Sequence, residues 1–153
     1  MKVEADEADF WLFDALSLNL QPVSLPDIYS TTKMYYVKKR MEVAGCHRLE
    51  LSYESKCSNL HGHNWVITVY CRSERLNSDG MVCDFTAIKA LIHDRLDHGN
   101  FNELLPFNPT AENIARWVTE QIPECFMASV QESEGNTAMY ATDDADMAAA
   151  ALI

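Results

Sequence analysis

A short segment that carries a thiol and two imidazoles, Cys57-Ser-Asn-Leu-His61-Gly-His63-Asn-Trp65, constrains the local fold of this chain more than any other feature. Residues i and i+2 of a β-strand project to the same face, so His61 and His63 can reach one metal ion if the backbone is extended there. Gly62 between them carries no side chain and allows another backbone to approach closely. After Trp65 the chain turns apolar and β-like.

A third imidazole, His47, precedes this segment, so three of the five histidines lie between residues 47 and 63. Three neutral imidazoles without an obligatory fourth protein ligand are typical of a catalytic zinc site, which keeps one position open for water or substrate. A histidine pair alone is a weak signal, because most such pairs bind no metal. The nearby Cys57 strengthens the interpretation, since a neighbouring cation lowers a thiol pKa and creates a base or nucleophile. The cluster therefore predicts a zinc enzyme, although three imidazoles also suit other divalent ions.

The composition is typical of a folded protein with one domain. The chain has 153 residues, of which 48% are hydrophobic and 10% aromatic, enough for one modest core. No apolar run approaches the ~20 residues that a membrane span needs, and no secretory signal pattern opens the chain. The five cysteines, an odd number without regular spacing, are typical of reduced thiols. These features predict a cytoplasmic protein that does not span a membrane.

Most of the net charge of −11 lies at the two ends of the chain. Residues 1–33 carry six acidic and two basic side chains, and residues 141–153 carry three acidic and no basic ones. No basic stripe appears, which disfavours nucleic-acid binding but leaves an anionic small substrate possible. We predict a non-catalytic N-terminal appendage over 1–33, a catalytic domain over 34–141 and an acidic, alanine-rich tail over 142–153.

Apolar periodicity in the middle of the chain predicts four strands and two helices. The predicted strands cover residues 34–50, 65–72, 125–132 and 137–141, and the predicted helices cover residues 85–96 and 108–122. Asp84 can cap the first helix, Pro123 ends the second, and Gly135-Asn136 forms a tight hairpin turn. The order ββααββ predicts an α+β fold in which both helices lie on one face of an antiparallel sheet.

Several separated motifs, in this order, resemble the 6-pyruvoyltetrahydropterin synthase and 6-carboxytetrahydropterin synthase superfamily. They are Cys46-His47-Arg-Leu, Cys57-x-x-x-His61-Gly-His63-Asn-Trp, Val82-Cys-Asp-Phe85, Leu96-Asp97-His98, Asn108-Pro-Thr-Ala-Glu-Asn113 and Val130-Gln-Glu132. The resemblance covers about residues 34–140. It implies the tunnelling fold (T-fold), whose ββααββ subunits form barrels, and a homohexamer of two stacked trimers.

The loop before the histidine pair resembles one branch of this superfamily. Three residues separate Cys57 from His61, as in the bacterial enzymes of the queuosine pathway, whereas the animal pyruvoyl synthases carry a longer insert. The thiol disfavours the branch with a glutamate at this position. The resemblance implies a lyase that converts 7,8-dihydroneopterin triphosphate into 6-carboxy-5,6,7,8-tetrahydropterin, acetaldehyde and triphosphate.

The resemblance also implies a role for each site residue. Zinc would be held by His47, His61 and His63; proton transfer would fall to Cys57, Asp97 and His98; the pterin would be bound by Glu132, Thr110 and Glu112. The family pocket lies between subunits, so residues of one site need not belong to one chain.

Most of these residues also have a plain structural interpretation. An Asp-His pair after a helix is commonly a C-terminal cap, and Thr110 and Glu112 suit the start of a helix. Glu132 would otherwise be one strand acid among several. Cys46 is predicted to pack as a small hydrophobe, and His93 to lie on a helix face without a chemical role.

Three other functions stay open. A 6-pyruvoyltetrahydropterin synthase would use the same site and eliminate triphosphate, but would keep all the side-chain carbons. A non-catalytic zinc-binding module would use Cys57 as a fourth, closing ligand. In a degenerate homologue, the unusual chain ends would prevent assembly.

Overall fold

A computed structural model of the chain describes residues 33–142 and residue 150. These residues belong to the second of the two units into which the chain divides, Lys33–Ile153. The predicted N-terminal appendage and C-terminal tail lie outside the described residues, except for Lys33, Thr142 and Ala150. Ala150 is helical and buried in a small cluster with Phe126 and Met127.

Two long strands form the centre of the fold. Strand β1, Tyr35–His47, pairs antiparallel with β2, His61–Ser73, in one uninterrupted register. Alternate side chains of both strands face the core, because successive residues of a strand point to opposite faces. The buried residues of this face include Met41 and Val43 of β1 and Trp65, Ile67, Val69 and Cys71 of β2.

The remaining elements complete a sheet that is covered on one face by helices. Helix α1 covers residues 85–96 and contains a π-helical turn at Lys89–His93; α2 covers Phe101–Leu104 and α3 covers Ala111–Glu120. Strand β3 is Gly99–Asn100, β4 is Cys125–Ser133 and β5 is Asn136–Ala141. In the described residues, five strands form one sheet in the order β3-β1-β2-β4-β5. The buried faces of α1 and α3 pack on this sheet.

The structure confirms the α+β class and the order of the predicted strands and helices. The first helix begins after Asp84, whose side chain accepts a hydrogen bond from the Thr86 N–H at 2.7 Å. Thr110 caps α3 by accepting from the Asn113 N–H at 3.3 Å. No described helix has the length and apolarity required to span a membrane.

Three details differ from the prediction. Strand β2 begins at His61 and not at Trp65, because pairing of the segment with the end of β1 overrides the weak strand preference of Gly62 and Asn64. The two-residue strand β3 pairs parallel with β1, so the sheet is not wholly antiparallel. Helix α2 was not predicted, since four residues are too few for a helical period to show.

Gly45 of β1 leaves room for an aromatic ring from α2. A Cβ atom at this position would overlap the Phe101 ring, with the Cζ atom only 2.5 Å away. Phe101 is fully buried against Trp65, with 5.2 Å between the ring centroids, so the ring has little freedom to move.

We expect Gly45→Ala to lower the free energy of unfolding by about 1–3 kcal/mol, the usual cost of overpacking a core. Denaturant unfolding measures the change. Gly62→Ala is the matched control, because the nearest atom to its added Cβ, Gly45 O, would be 3.6 Å away. Equal stability of Gly45→Ala and the unsubstituted protein would contradict this packing argument.

Candidate metal centre and active site

The register of β1 and β2 brings three histidines together. His47 is the last residue of β1 and pairs directly with His61, the first residue of β2. His63 follows two residues later and therefore projects to the same face as His61. One ring nitrogen from each histidine lies within 4.8 Å of the others. His47 is fully buried, and His61 and His63 are half-buried.

Backbone carbonyl groups fix the protonation of two of these rings. His47 Nδ1 lies 2.8 Å from Pro109 O, and His61 Nδ1 lies 2.7 Å from Asn59 O. A carbonyl oxygen can only accept, so each Nδ1 must carry the proton and donate it. In the neutral rings, both Nε2 atoms are then left with a lone pair, the form that ligates a metal.

A carboxylate also lies beside the nitrogen atoms of the histidine cluster. Glu132 Oε1 on β4 lies 3.3 Å from His47 Nε2 and 3.9 Å from His63 Nε2. These are ion-pair distances without hydrogen-bond geometry, since neither of these buried Nε2 atoms has a hydrogen-bond partner among the described residues. Burial lowers the pKa of His47 and so favours its neutral form. The residues fit a bound cation, because a carboxylate lies beside imidazole nitrogens that no donor among the described residues satisfies.

An indole forms the floor of the histidine cluster. The Trp65 ring is fully buried and meets His47 and His63 edge to face, with centroid separations of 4.8 and 5.4 Å. Its Nε1–H lies 3.3 Å from Gly45 O, a long hydrogen bond that orients the ring. Trp65 therefore restricts the orientations that these two imidazoles can adopt.

Two asparagine side chains hold the segment after His47. Asn102 accepts from the Arg48 N–H at 2.8 Å and donates to Arg48 O at 2.9 Å. Asn108 accepts from the Glu50 N–H at 3.0 Å and donates to Glu50 O at 2.9 Å. Both side-chain amides thus form the backbone hydrogen bonds that a neighbouring strand would form, at residues just beyond the end of β1. Sequence reasoning missed the role of these amides, because each contact spans more than fifty residues and no local pattern indicates it.

The three residues predicted to bind the pterin line one groove. Glu132, Thr110 and Glu112 surround a cavity of about 500 Å³ together with the apolar side chains of Leu51 and Tyr53. The volume lies in the usual range for small-molecule sites. The Thr110 hydroxyl oxygen accepts the capping hydrogen bond of α3, and its hydrogen is left to donate to a ligand. The structural interpretation of Thr110 as a cap is therefore correct and compatible with binding.

Asp97 and His98 form a close ion pair after α1. Asp97 Oδ2 lies 3.0 Å from His98 Nδ1, and Asp97 Oδ1 accepts from the Ala44 N–H at 2.9 Å. The Ala44 hydrogen bond is the main reason why the pKa of Asp97 is lowered, and the His98 contact adds to it. His93, predicted to lie on a helix face, places its Nε2 atom 3.8 Å from Asp97 Oδ2.

The backbone of His98 is strained and its ring is exposed. His98 has φ of 59°, a left-handed conformation that costs energy in any residue with a Cβ. Its N–H donates to Ala44 O at 2.6 Å, while 83% of the side chain is exposed. The ring lines a second cavity, of about 490 Å³, which His63 also lines. Strain of this kind clusters at functional sites.

Cys57 lies apart from these groups. The thiol is exposed on a 3-10 turn, Lys56–Ser58, whose backbone is tied to the strand end by a 2.8 Å hydrogen bond from the Leu49 N–H to Cys57 O. Among the described residues, Cys57 belongs neither to the metal-binding cluster nor to the lining of the two cavities above. Within one chain, the three histidines and Glu132 therefore lie close together, whereas Cys57 lies outside this cluster.

Several known proteins are similar to this chain in sequence or in fold. The chain is 34% identical over 110 residues to 6-carboxy-5,6,7,8-tetrahydropterin synthase of Synechocystis sp., a match that covers 66% of this chain and 84% of that protein. The enzyme of the same name from Bacillus subtilis is 23% identical over 136 residues, covering 76% of this chain and 93% of that protein.

The structure also resembles a solved one, the 6-pyruvoyl tetrahydropterin synthase of Caenorhabditis elegans. The TM-score is 0.60 at 25% identity, and the match covers 72% of this chain and 97% of that one. This likeness confirms the predicted fold class. Residues 36–143 match the family described as 6-pyruvoyl tetrahydropterin synthase. The chain belongs to the 6-pyruvoyl tetrahydropterin synthase family.

Proposed function

We propose that this protein is a zinc-dependent carbon–carbon lyase of the queuosine pathway. It converts 7,8-dihydroneopterin triphosphate and water into 6-carboxy-5,6,7,8-tetrahydropterin, acetaldehyde and triphosphate. The observation that carries the proposal is the convergence of acceptor atoms from three histidines and Glu132 beside a groove of small-molecule size. The identity to the Synechocystis enzyme of this name supports the choice of reaction.

We assign the metal to His47, His61 and His63. The lone pairs at Nε2 of His47 and His61, and the absence of a hydrogen-bond partner at Nε2 of His47 and His63 in the described chain, support this assignment. When bound, zinc acts as a Lewis acid that polarises substrate oxygens and acidifies nearby C–H bonds. The three histidines form the metal-binding set, and the exposed Cys57 outside the cluster disfavours a site that this thiol closes as a fourth ligand.

The chain's own residues bind the pterin and move the protons. The Glu132 carboxylate accepts from the amino group and the adjacent ring N–H of the pterin, a bidentate match. Thr110 and Glu112 provide further polar contacts from the same groove. Cys57 acts as the general base on the substrate carbons.

His98 delivers or accepts the second proton. Asp97 Oδ2 lies 3.0 Å from Nδ1 and so orients the imidazole. The opposite nitrogen, Nε2, is then free to exchange a proton with substrate. Exposure of 83% of this side chain gives it access to a bound molecule.

We further propose that the site is completed by neighbouring subunits in a homohexamer. Free sheet edges support assembly: within the described residues, β5 ends the sheet, and β3 pairs only with Gly45 and Cys46 of β1. Pairing of such edges between copies would build a barrel. The catalytic domain, residues 34–141, thus acts as one of several subunits. The five free thiols support a reducing compartment such as the cytoplasm.

A product assay tests this function. Zinc-loaded and chelator-stripped protein are each incubated with 7,8-dihydroneopterin triphosphate, and the pterin product is identified by mass. We expect 6-carboxy-5,6,7,8-tetrahydropterin from the loaded protein only. A pterin that keeps all its side-chain carbons would replace the proposal with the pyruvoyl synthase, the second candidate, which the likeness to the Caenorhabditis elegans structure favours. No conversion by folded, zinc-loaded protein would favour a non-catalytic zinc-binding module.

A further inference from the structure

The position of Glu132 is unusual for a residue whose only role is to hold an organic ring. The pairing of β4 with β5 is irregular between Gln131 and Ser133, so Glu132 sits at a bulge. Bulges re-aim a side chain, often next to an active site. Here the carboxylate is 25% exposed and points at His47 and His63 as well as lining the groove.

The contact between Glu132 and His47 would be repulsive if both atoms were acceptors with nothing between them. His47 Nδ1 donates to Pro109 O, so the Nε2 atom of the neutral ring presents a lone pair to Glu132 Oε1 at 3.3 Å. Two acceptors at this distance repel each other unless a cation lies between them. A proton on His47 Nε2 would not account for the contact either, because the two atoms lack hydrogen-bond geometry.

A shared metal ion accounts for this separation. Zinc–nitrogen and zinc–oxygen bonds of about 2.0–2.2 Å in a tetrahedral arrangement place two ligand atoms about 3.3–3.5 Å apart. Glu132 Oε1 lies 3.3 Å from His47 Nε2, which is such a separation, and 3.9 Å from His63 Nε2. The carboxylate therefore lies close enough to two of the three histidines to act as a fourth ligand.

We propose that Glu132 is an exchangeable fourth ligand of the metal ion held by His47, His61 and His63. The inference rests on the proposed function, because it takes the three histidines as the metal ligands. Without substrate, one carboxylate oxygen closes the site. When a pterin enters the groove, the carboxylate leaves the metal and accepts hydrogen bonds from the ring, so that the fourth position opens only when substrate is present.

Cobalt substitution tests the coordination directly. Co²⁺ is loaded into the unsubstituted protein, Glu132→Gln and Glu134→Gln, and the visible absorption spectrum and the zinc dissociation constant are measured. Glu134 is the matched control, because it lies in the exposed turn two residues beyond Glu132. Thermal unfolding of each apoprotein shows that the variants are folded.

We expect Glu132→Gln to change the Co²⁺ spectrum and to weaken zinc binding by about 10-fold to 100-fold, at least the effect of losing an outer-shell partner. Glu134→Gln should leave both readouts unchanged. In the unsubstituted protein, addition of neopterin should also shift the Co²⁺ spectrum, a result that does not depend on any variant being folded.

Two other results would overturn the inference and are distinguishable. If Glu132→Gln binds Co²⁺ with an unaltered spectrum, the carboxylate is not a ligand, whatever its effect on affinity, and the three-histidine site stands. If the unsubstituted protein binds neither Co²⁺ nor zinc, the metal site of the proposed function fails and this inference fails with it.

Discussion

Replacing Cys57 with alanine should reduce turnover by about 10²–10⁴-fold, the usual contribution of a general base, while the zinc content stays unchanged. The expected result follows from the position of the thiol. Cys57 lies on an exposed turn outside the histidine cluster, so its loss removes no ligand. Steady-state kinetics and metal analysis of the same preparation measure both effects.

The control for this substitution is another cysteine. Cys83→Ala removes a partly buried thiol that packs on the core, and we expect it to retain turnover. Release of zinc from Cys57→Ala would identify the thiol as a ligand and favour the non-catalytic module. Full turnover by Cys57→Ala would remove the thiol from the mechanism.

His63→Ala should strongly weaken metal binding and abolish turnover. We expect the zinc dissociation constant to rise by more than about 100-fold, because loss of a direct ligand exceeds the effect of losing an outer-shell partner. The half-buried position of His63 limits the accompanying loss of stability. Isothermal titration of the apoprotein with zinc measures the change.

A histidine outside the cluster provides the comparison. His93 lies on α1, and His93→Ala should retain zinc affinity because this ring is not among the clustered nitrogens. Unchanged zinc affinity in His63→Ala would contradict the assignment of the metal site, whereas parallel losses in both variants would indicate a folding defect.

Much of the fold follows from local sequence patterns. Alternation of apolar residues indicated β1 and β2, and helical spacing after Asp84 indicated α1, because each pattern reflects burial of one face. The histidine cluster was also visible in sequence, since His61 and His63 share a face where the backbone is extended. The end of β1 at His47 and its pairing with His61 were not predicted. The role of these residues stays a prediction until metal is measured.

Other features depend on contacts between residues far apart in the chain, which local sequence patterns do not indicate. The carbonyl of Pro109 fixes the His47 tautomer across more than sixty residues, and Asn102 and Asn108 hold the chain beyond β1 from similar distances. The left-handed backbone of His98 is equally unexpected, since glycine more often takes this conformation. Tertiary hydrogen bonds, not local preferences, determine these positions.

The separation of Cys57 from the other predicted groups has a different origin. His98 and His63 line one cavity, Glu132 and Thr110 line another, and Cys57 lines neither. A single chain therefore does not assemble the full predicted set. Our proposal that subunits share the site explains this, because residues at the surface of one copy can meet those of the next.

The ratio of acetaldehyde to triphosphate released from 7,8-dihydroneopterin triphosphate tests the proposed reaction most directly. Both products are quantified in one reaction, with His63→Ala as the blank. Our account predicts equal amounts, because each turnover breaks one carbon–carbon bond and releases one triphosphate. Triphosphate without acetaldehyde would contradict the account and identify the pyruvoyl synthase reaction instead.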